Sequence, residues 1–207
     1  MPTPRRLVLL ALSGWLVACS STPKPVATAT PATTATSAPT GPAGMVTVHQ
    51  ASAQCVGTVQ APAGARRLDE LVPFYRIGAP GKGNLCMGQV FEAERPIELY
   101  RVYDGEKAPR RGSYWALEAP GGTRQQYRVD NAICESFNRL TRLTVCTIQP
   151  GVRFIVGPGQ NIQCEESGES YPASAVNQVT LPSDPTTHAV IGIDEQNCRE
   201  LPLPWAG

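Results

Sequence analysis

Residues 96–122 read PIELYRVYDGEKAPRRGSYWALEAPGG, and it is here that charge, aromatic side chains and turn residues converge. Ile97, Leu99 and Val102 interleave with Glu98, Tyr100, Arg101 and Tyr103, which predicts a β-branched and aromatic strand with imperfect alternation. Arg101 is thereby placed on a strand and not in a loop. Asp104-Gly105 starts a turn, residues 106–111 are polar and carry Pro109, and Gly112-Ser113-Tyr114-Trp115 reopens an aromatic run that Pro120-Gly121-Gly122 closes. The unit reads strand, basic loop, aromatic strand.

Working outward, Val46-Thr47-Val48 predicts a first strand, and residues 65–76 place Leu68, Leu71, Val72 and Tyr75 on one helical face that Pro73 would end or kink. The run GAPGKG at 78–83 lacks the spacing of a phosphate-binding loop and reads as a surface loop. Beyond the central stretch, residues 125–129 predict a strand, and Asp130 is a candidate N-cap for a helix carrying Ile133, Phe137 and Leu140 on one face. Residues 143–148 and 152–156 predict two strands joined as a hairpin through Gln149-Pro150-Gly151. An acidic loop with Glu165, Glu166 and Glu169 follows, then strands at 176–181 and 189–193 and a tail rich in Pro and Trp. Six to eight strands with one or two short helices predict an α+β fold built on a mainly antiparallel sheet.

The ends of the chain speak to location. Arg5-Arg6 precede an apolar run at 7–17 that is too short to span a bilayer, and Leu16-Val17-Ala18-Cys19 forms a lipobox. Residues 1–18 therefore read as a lipoprotein signal peptide and Cys19 as the lipidated N-terminus, anchored by several acyl chains, palmitate among them. By resemblance to bacterial lipoproteins generally, Ser20 rather than Asp at the second mature position implies an outer-membrane destination in a Gram-negative cell, facing the periplasm or the surface. Residues 19–44 are almost wholly Thr, Ala, Pro and Ser and read as a disordered tether, leaving 45–207 as one globular domain.

Charge argues against nucleic acid as a partner. The chain carries 18 basic and 17 acidic residues, and loss of Arg5 and Arg6 leaves 16 against 17. Local basic clusters at Lys107/Arg110/Arg111 and Arg139/Arg142 read as solvated faces. Of the seven cysteines, Cys19 is taken by the lipid, and Cys55, Cys86, Cys134, Cys146, Cys164 and Cys198 predict three disulfides among 15 possible pairings. No zinc-ligand spacing occurs, the two histidines being the isolated His49 and His188.

An Arg on a strand, a turn, Gly-Ser-Tyr with Trp115 after it, and then Ala-Pro-Gly resembles the start of the tuberculosis-necrotizing-toxin type of NAD glycohydrolase domain, relatives of the ADP-ribosyltransferase toxins. Tyr127-Arg128-Val129, Val152 with Gly157-Pro158, and Asn177-Gln178-Val179 before Pro182 follow that family's order of elements, so the resemblance spans about residues 97–182. It implies cleavage of the nicotinamide–ribose bond, with NAD as substrate and no separate cofactor or metal. By residue match, Arg101 would clamp the pyrophosphate, Tyr114 would wall the nicotinamide, and Gln178 would hold a ribose hydroxyl or the attacking water. The family carries a His between its Tyr and its Gly/Pro turn, where this chain has none and Tyr127 is the nearest substitute. Transfer of ADP-ribose to an acceptor is a variant of this reading. The alternative is a non-enzymatic outer-membrane lipoprotein that binds an envelope protein or cell-wall partner, an immunity-type inhibitor included. The two differ in one geometric respect: an enzyme needs Arg101, Tyr114 and Gln178 to converge on one cleft, whereas a binding module would show an apolar patch elsewhere.

Overall fold

The computed structural model describes residues 45–46, 55–77, 81–187 and 189–205. The leader, Cys19, the tether, His49 and His188 lie outside the described residues, as do 78–80 of the glycine-rich loop and 47–48 of the first predicted strand. In chain order the elements are β1 (Met45–Val46), β2 (Ala65–Arg67), β3 (Val72–Pro73), the single helical turn α1 (Phe74–Ile77), β4 (Gln89–Ala93), β5 (Ile97–Tyr103), β6 (Tyr114–Ala116) and α2 (Arg124–Asp130). They continue with β7 (Arg142–Ile148), β8 (Arg153–Pro158), β9 (Ile162–Gln163), β10 (Ser170–Tyr171), β11 (Asn177–Thr180), a 3-10 turn at Glu195–Asn197 and β12 (Cys198–Leu201). The fold is α+β with a mainly antiparallel sheet, as the sequence predicts.

Eight strands form one antiparallel sheet in the order β12-β7-β5-β6-β11-β8-β4-β2. Two links then dictate its shape. Residues 94–96 join β4 to β5 and residues 149–152 join β7 to β8, and each link connects strands four places apart. Four strand spacings span about 19 Å in a flat sheet, whereas the four steps from Ala93 to Ile97 reach about 14 Å at full extension. The sheet must therefore roll over on itself. Its interior is the main core, with Phe91, Ile97, Leu99, Trp115, Ile148, Phe154, Val156 and Val179 contributed by six strands.

Five local expectations fail. Residues 65–76 are strand and turn: β2 pairs with β4, β3 pairs with β1, and Pro73 allows only the single turn that follows it. Residues 149–151 make a corner and not a hairpin, because β7 pairs with β5 and β12 while β8 pairs with β11 and β4. Residues 125–129 are helical within α2. Thr123 caps it by accepting from the Gln126 N–H at 3.1 Å, and Gln126 reaches Asp130 one turn on at 2.7 Å. Asp130 thus ends a helix and starts none: the segment after it turns through Ala132 (φ 51°) and Leu140 (φ 57°), left-handed conformations that no helix contains. The predicted strand at 189–193 reduces to one bridge between Ser183 and Val190.

Three disulfides form, Cys55–Cys86, Cys134–Cys164 and Cys146–Cys198. The last joins directly opposite residues of β7 and β12 and fixes an edge strand to the roll. Cys134–Cys164 ties the segment after α2 to the segment after β9, and around it Ala132, Ile162 and Tyr171 bury a small satellite core. A further cluster of Val102, Leu140, Leu143 and Trp205 packs with Tyr100 and Tyr127, so that α2 and the C-terminal tail cover β5 and β7 from outside.

Candidate functional site

The three candidate side chains stand on three consecutive strands: Arg101 on β5, Tyr114 on β6 and Gln178 on β11. Trp115 and Val179 belong to the core, so their neighbours Tyr114 and Gln178 face outward, toward α2. β5 and β6 pair at a single position, Tyr100 opposite Ala116. The loop between them wraps round the Arg101 side chain.

That loop is fastened by Asp104. Its Oδ1 accepts from the backbone N–H groups of Glu106, Lys107 and Ala108 and its Oδ2 from that of Arg139, all at 2.9 Å. Burial alone would raise the Asp104 carboxyl, but these four donors more than reverse it and hold the group down at about 2. The loop carbonyls are then turned onto Arg101: Nε donates to Pro109 O at 3.0 Å and Nη1 to Tyr114 O at 2.6 Å. Gly112 lies flat against the guanidinium, where a methyl group would collide with Nη2. Arg101 has no carboxylate within ion-pair distance among the described residues, and desolvation brings it down to about 10.

Arg101, Tyr114 and Gln178 line one cavity of about 240 Å³, together with Tyr127, Asn131 and Phe137. The Tyr114 hydroxyl donates to Asn84 Oδ1 at 2.9 Å, and its phenol is pushed up by desolvation. Gln178 is 4% exposed; its Nε2 donates to Asn131 O at 3.0 Å, and Oε1 accepts no hydrogen bond among the described residues. Gly159 leaves room for that amide, a Cβ there coming within 3.0 Å of Nε2. Among its lining residues the cavity has two cations, Arg101 and Lys82, and no Asp, Glu, His, Ser, Thr or Cys. It can hold an anion beside an aromatic or apolar group, and besides the two cations its ionisable lining side chains are the phenols of Tyr100, Tyr114 and Tyr127.

Several lining residues escape a sequence reading. Asn84 follows the glycine-rich loop, Asn131 caps the C-terminus of a helix the sequence presents as a strand, and Phe137 stays 56% exposed at the rim because its predicted helix does not form. The Thr123 cap after Gly121-Gly122 was the available signal for α2, and hence for Tyr127 and Asn131. Among the described residues no group of three or more His, Cys, Asp or Glu could hold a metal ion. Comparison of the chain with family models, with curated proteins and with solved structures finds no match.

Proposed function

We propose that this protein is an NAD glycohydrolase-like domain of a membrane-anchored lipoprotein, cleaving the bond between nicotinamide and ribose. One observation carries the reading: Arg101, Tyr114 and Gln178 line the same cavity, and no carboxylate stands among its lining residues. The dinucleotide is anionic at its pyrophosphate and aromatic at the nicotinamide, which matches a guanidinium and a phenol on neighbouring strands.

The chemistry asks little of the protein beyond holding the substrate. When the C1′–N1 bond breaks, the electron pair stays on the pyridine nitrogen, the cationic ring leaves as neutral nicotinamide, and an oxocarbenium ion remains on the ribose. Water adds to C1′ and gives its proton to solvent. No general acid is needed for the leaving group, so a cavity without carboxylate or imidazole suits the reaction. Arg101 clamps the pyrophosphate, the Tyr114 ring walls the nicotinamide, and Gln178 Oε1 accepts from a ribose hydroxyl or from the attacking water. With the lipidated Cys19 and the disulfides, the domain would act outside the cytoplasm, at the outer membrane.

A non-enzymatic envelope-binding module is the second reading. It is favoured by the use of Arg101 and Gln178 as internal braces to main-chain carbonyls, and by the 56% exposed Phe137 at the cavity rim. The assay that separates the two follows nicotinamide release from NAD by oxidised protein, beside Arg101→Ala and Gln178→Ala variants whose folding is verified. Release by the parent that falls at least a hundredfold in each variant is expected for the enzyme. No release above buffer, with all three disulfides intact, rejects the enzyme and leaves the binding module.

A further inference from the structure

Tyr127 lies on α2, and its ring packs against Trp205 in a tilted pair with centroids 5.5 Å apart. That contact holds the ring against the cavity wall, next to Arg101, with which it is in electrostatic reach. Its hydroxyl makes no hydrogen bond among the described residues, whereas the neighbouring cavity phenol, Tyr114, is spent on Asn84. Nor is it sealed away, as the Trp205 Nε1–H is sealed without a partner. Desolvation pushes the phenol up to about 12 against the pull of Arg101, so at neutral pH it keeps its proton and serves as a donor.

We infer that Tyr127 and Arg101 together form an oxyanion subsite, in which the Tyr127 hydroxyl and the free guanidinium N–H groups donate to the oxygens of one phosphate group of the ligand. Two features of the cavity point the same way. The guanidinium has no carboxylate within ion-pair distance among the described residues, and the nearby acid, Asp104, is turned onto the backbone donors of its own loop and of Arg139. The Tyr127 hydroxyl has no hydrogen-bond partner among the described residues, so it enters a complex without first giving up an internal bond. A phosphate oxygen would satisfy both at once, with the short, strong hydrogen bonds that a charged acceptor makes. The assignment deepens the dinucleotide reading and rests on it for the identity of the ligand, but not for the chemistry of the subsite.

The test uses inorganic pyrophosphate and ADP-ribose, titrated calorimetrically into oxidised parent protein and a Tyr127→Phe variant at pH 7, with thermal unfolding of both measured alongside. Phenylalanine keeps the ring contact with Trp205 and removes only the hydroxyl. The expected result is about tenfold weaker binding of both probes, the value of one hydrogen bond to a charged group, with the unfolding midpoint unchanged because no internal bond is lost. Three results overturn the subsite: no pyrophosphate binding by the parent, equal binding by the variant, or a lowered midpoint that marks the hydroxyl as a structural group. If NAD is not cleaved but both probes bind and weaken as stated, the glycohydrolase reading falls and the subsite stands.

Discussion

Arg101 and Arg153 stand on the same sheet in opposite company. Arg153, at the start of β8, bonds Glu70 at 2.9 Å and Glu92 at 3.4 Å, and Glu92 also takes Arg66 at 2.7 Å, all on an exposed face. Arg101 meets carbonyl oxygens alone. The same division separates Arg110 and Arg199, paired with glutamates, from Arg128, which is 5% exposed and donates to the carbonyls of Ile133 at 3.0 Å and Asn138 at 2.9 Å. A carboxylate neutralises a cation, whereas a carbonyl fixes its position and leaves its charge uncompensated. The outer face thus spends its positive charge within the fold, whereas of the two cations lining the cavity Lys82 reaches Glu165 at 3.8 Å and Arg101 is held by carbonyls alone.

The strongest way to break this comparison is Arg128→Met. The change should cost about 3 kcal/mol, since it strands two carbonyls in the segment that carries Ile133 and Phe137. Urea unfolding measures it, and a loss under about 1 kcal/mol would show that the carbonyl-held cations are dispensable. Asp104→Asn comes next, at about 2 kcal/mol, through the charge-assisted bonds that fasten the loop round Arg101. Its sign with pH is fixed: the folded carboxyl, at about 2, lies below the usual value of about 3.9. The stabilisation is therefore complete above about pH 4 and is lost as pH falls through about 2. Over that window the gap in stability between parent and variant should close; a gap that holds constant would remove Asp104 from the account.

Gly112→Ala sharpens the contrast at smaller cost. Crowding the guanidinium should lower stability by about 1–2 kcal/mol and reduce pyrophosphate affinity in parallel; a variant with unchanged affinity would show that the position of Arg101 is not set by the loop. Smallest of all is Arg153→Ala, expected to cost less than about 1 kcal/mol and to lose even that in 1 M salt. A larger, salt-insensitive effect would mean that the outer cluster is more than a surface network.

The sequence declares its strands where cross-strand burial is strong, and hides what depends on caps and pairing partners. β5 was legible through its β-branched and aromatic residues despite imperfect alternation, and β7, β8 and β11 through the same residue types. Tyr127 was misplaced, since QQYRV carries an aromatic and a β-branched residue, and only the Thr123 cap and the Gln126–Asp130 pair tip it into helix. Gln149-Pro150-Gly151 turns the chain as predicted, yet no local signal says whether the strands it joins pair with each other or with distant partners. The convergence of Arg101, Tyr114 and Gln178 depends on β11 crossing to sit beside β6, a contact of long sequence separation that no spacing rule reaches. Asn84 has no signature beyond its final neighbours, Asn131 could be reached only through the Thr123 cap of α2, and Phe137 belongs to a predicted helix that does not form.

The cysteine connectivity carries a consequence for how the protein is made. In chain order the six cysteines join first to second, third to fifth and fourth to sixth, so two of the covalent loops interlock. Were the six bridging cysteines alone to oxidise in chain order, Cys55–Cys86 would close correctly and Cys134 would then be trapped with Cys146, leaving Cys164 for Cys198. Escape requires thiolate attack on those wrong bonds, a reshuffling that takes seconds to hours without an isomerase. Maturation of this small domain is thus tied to the redox machinery of the compartment that receives it, and the yield of correctly bridged molecules becomes a property of the host as much as of the sequence.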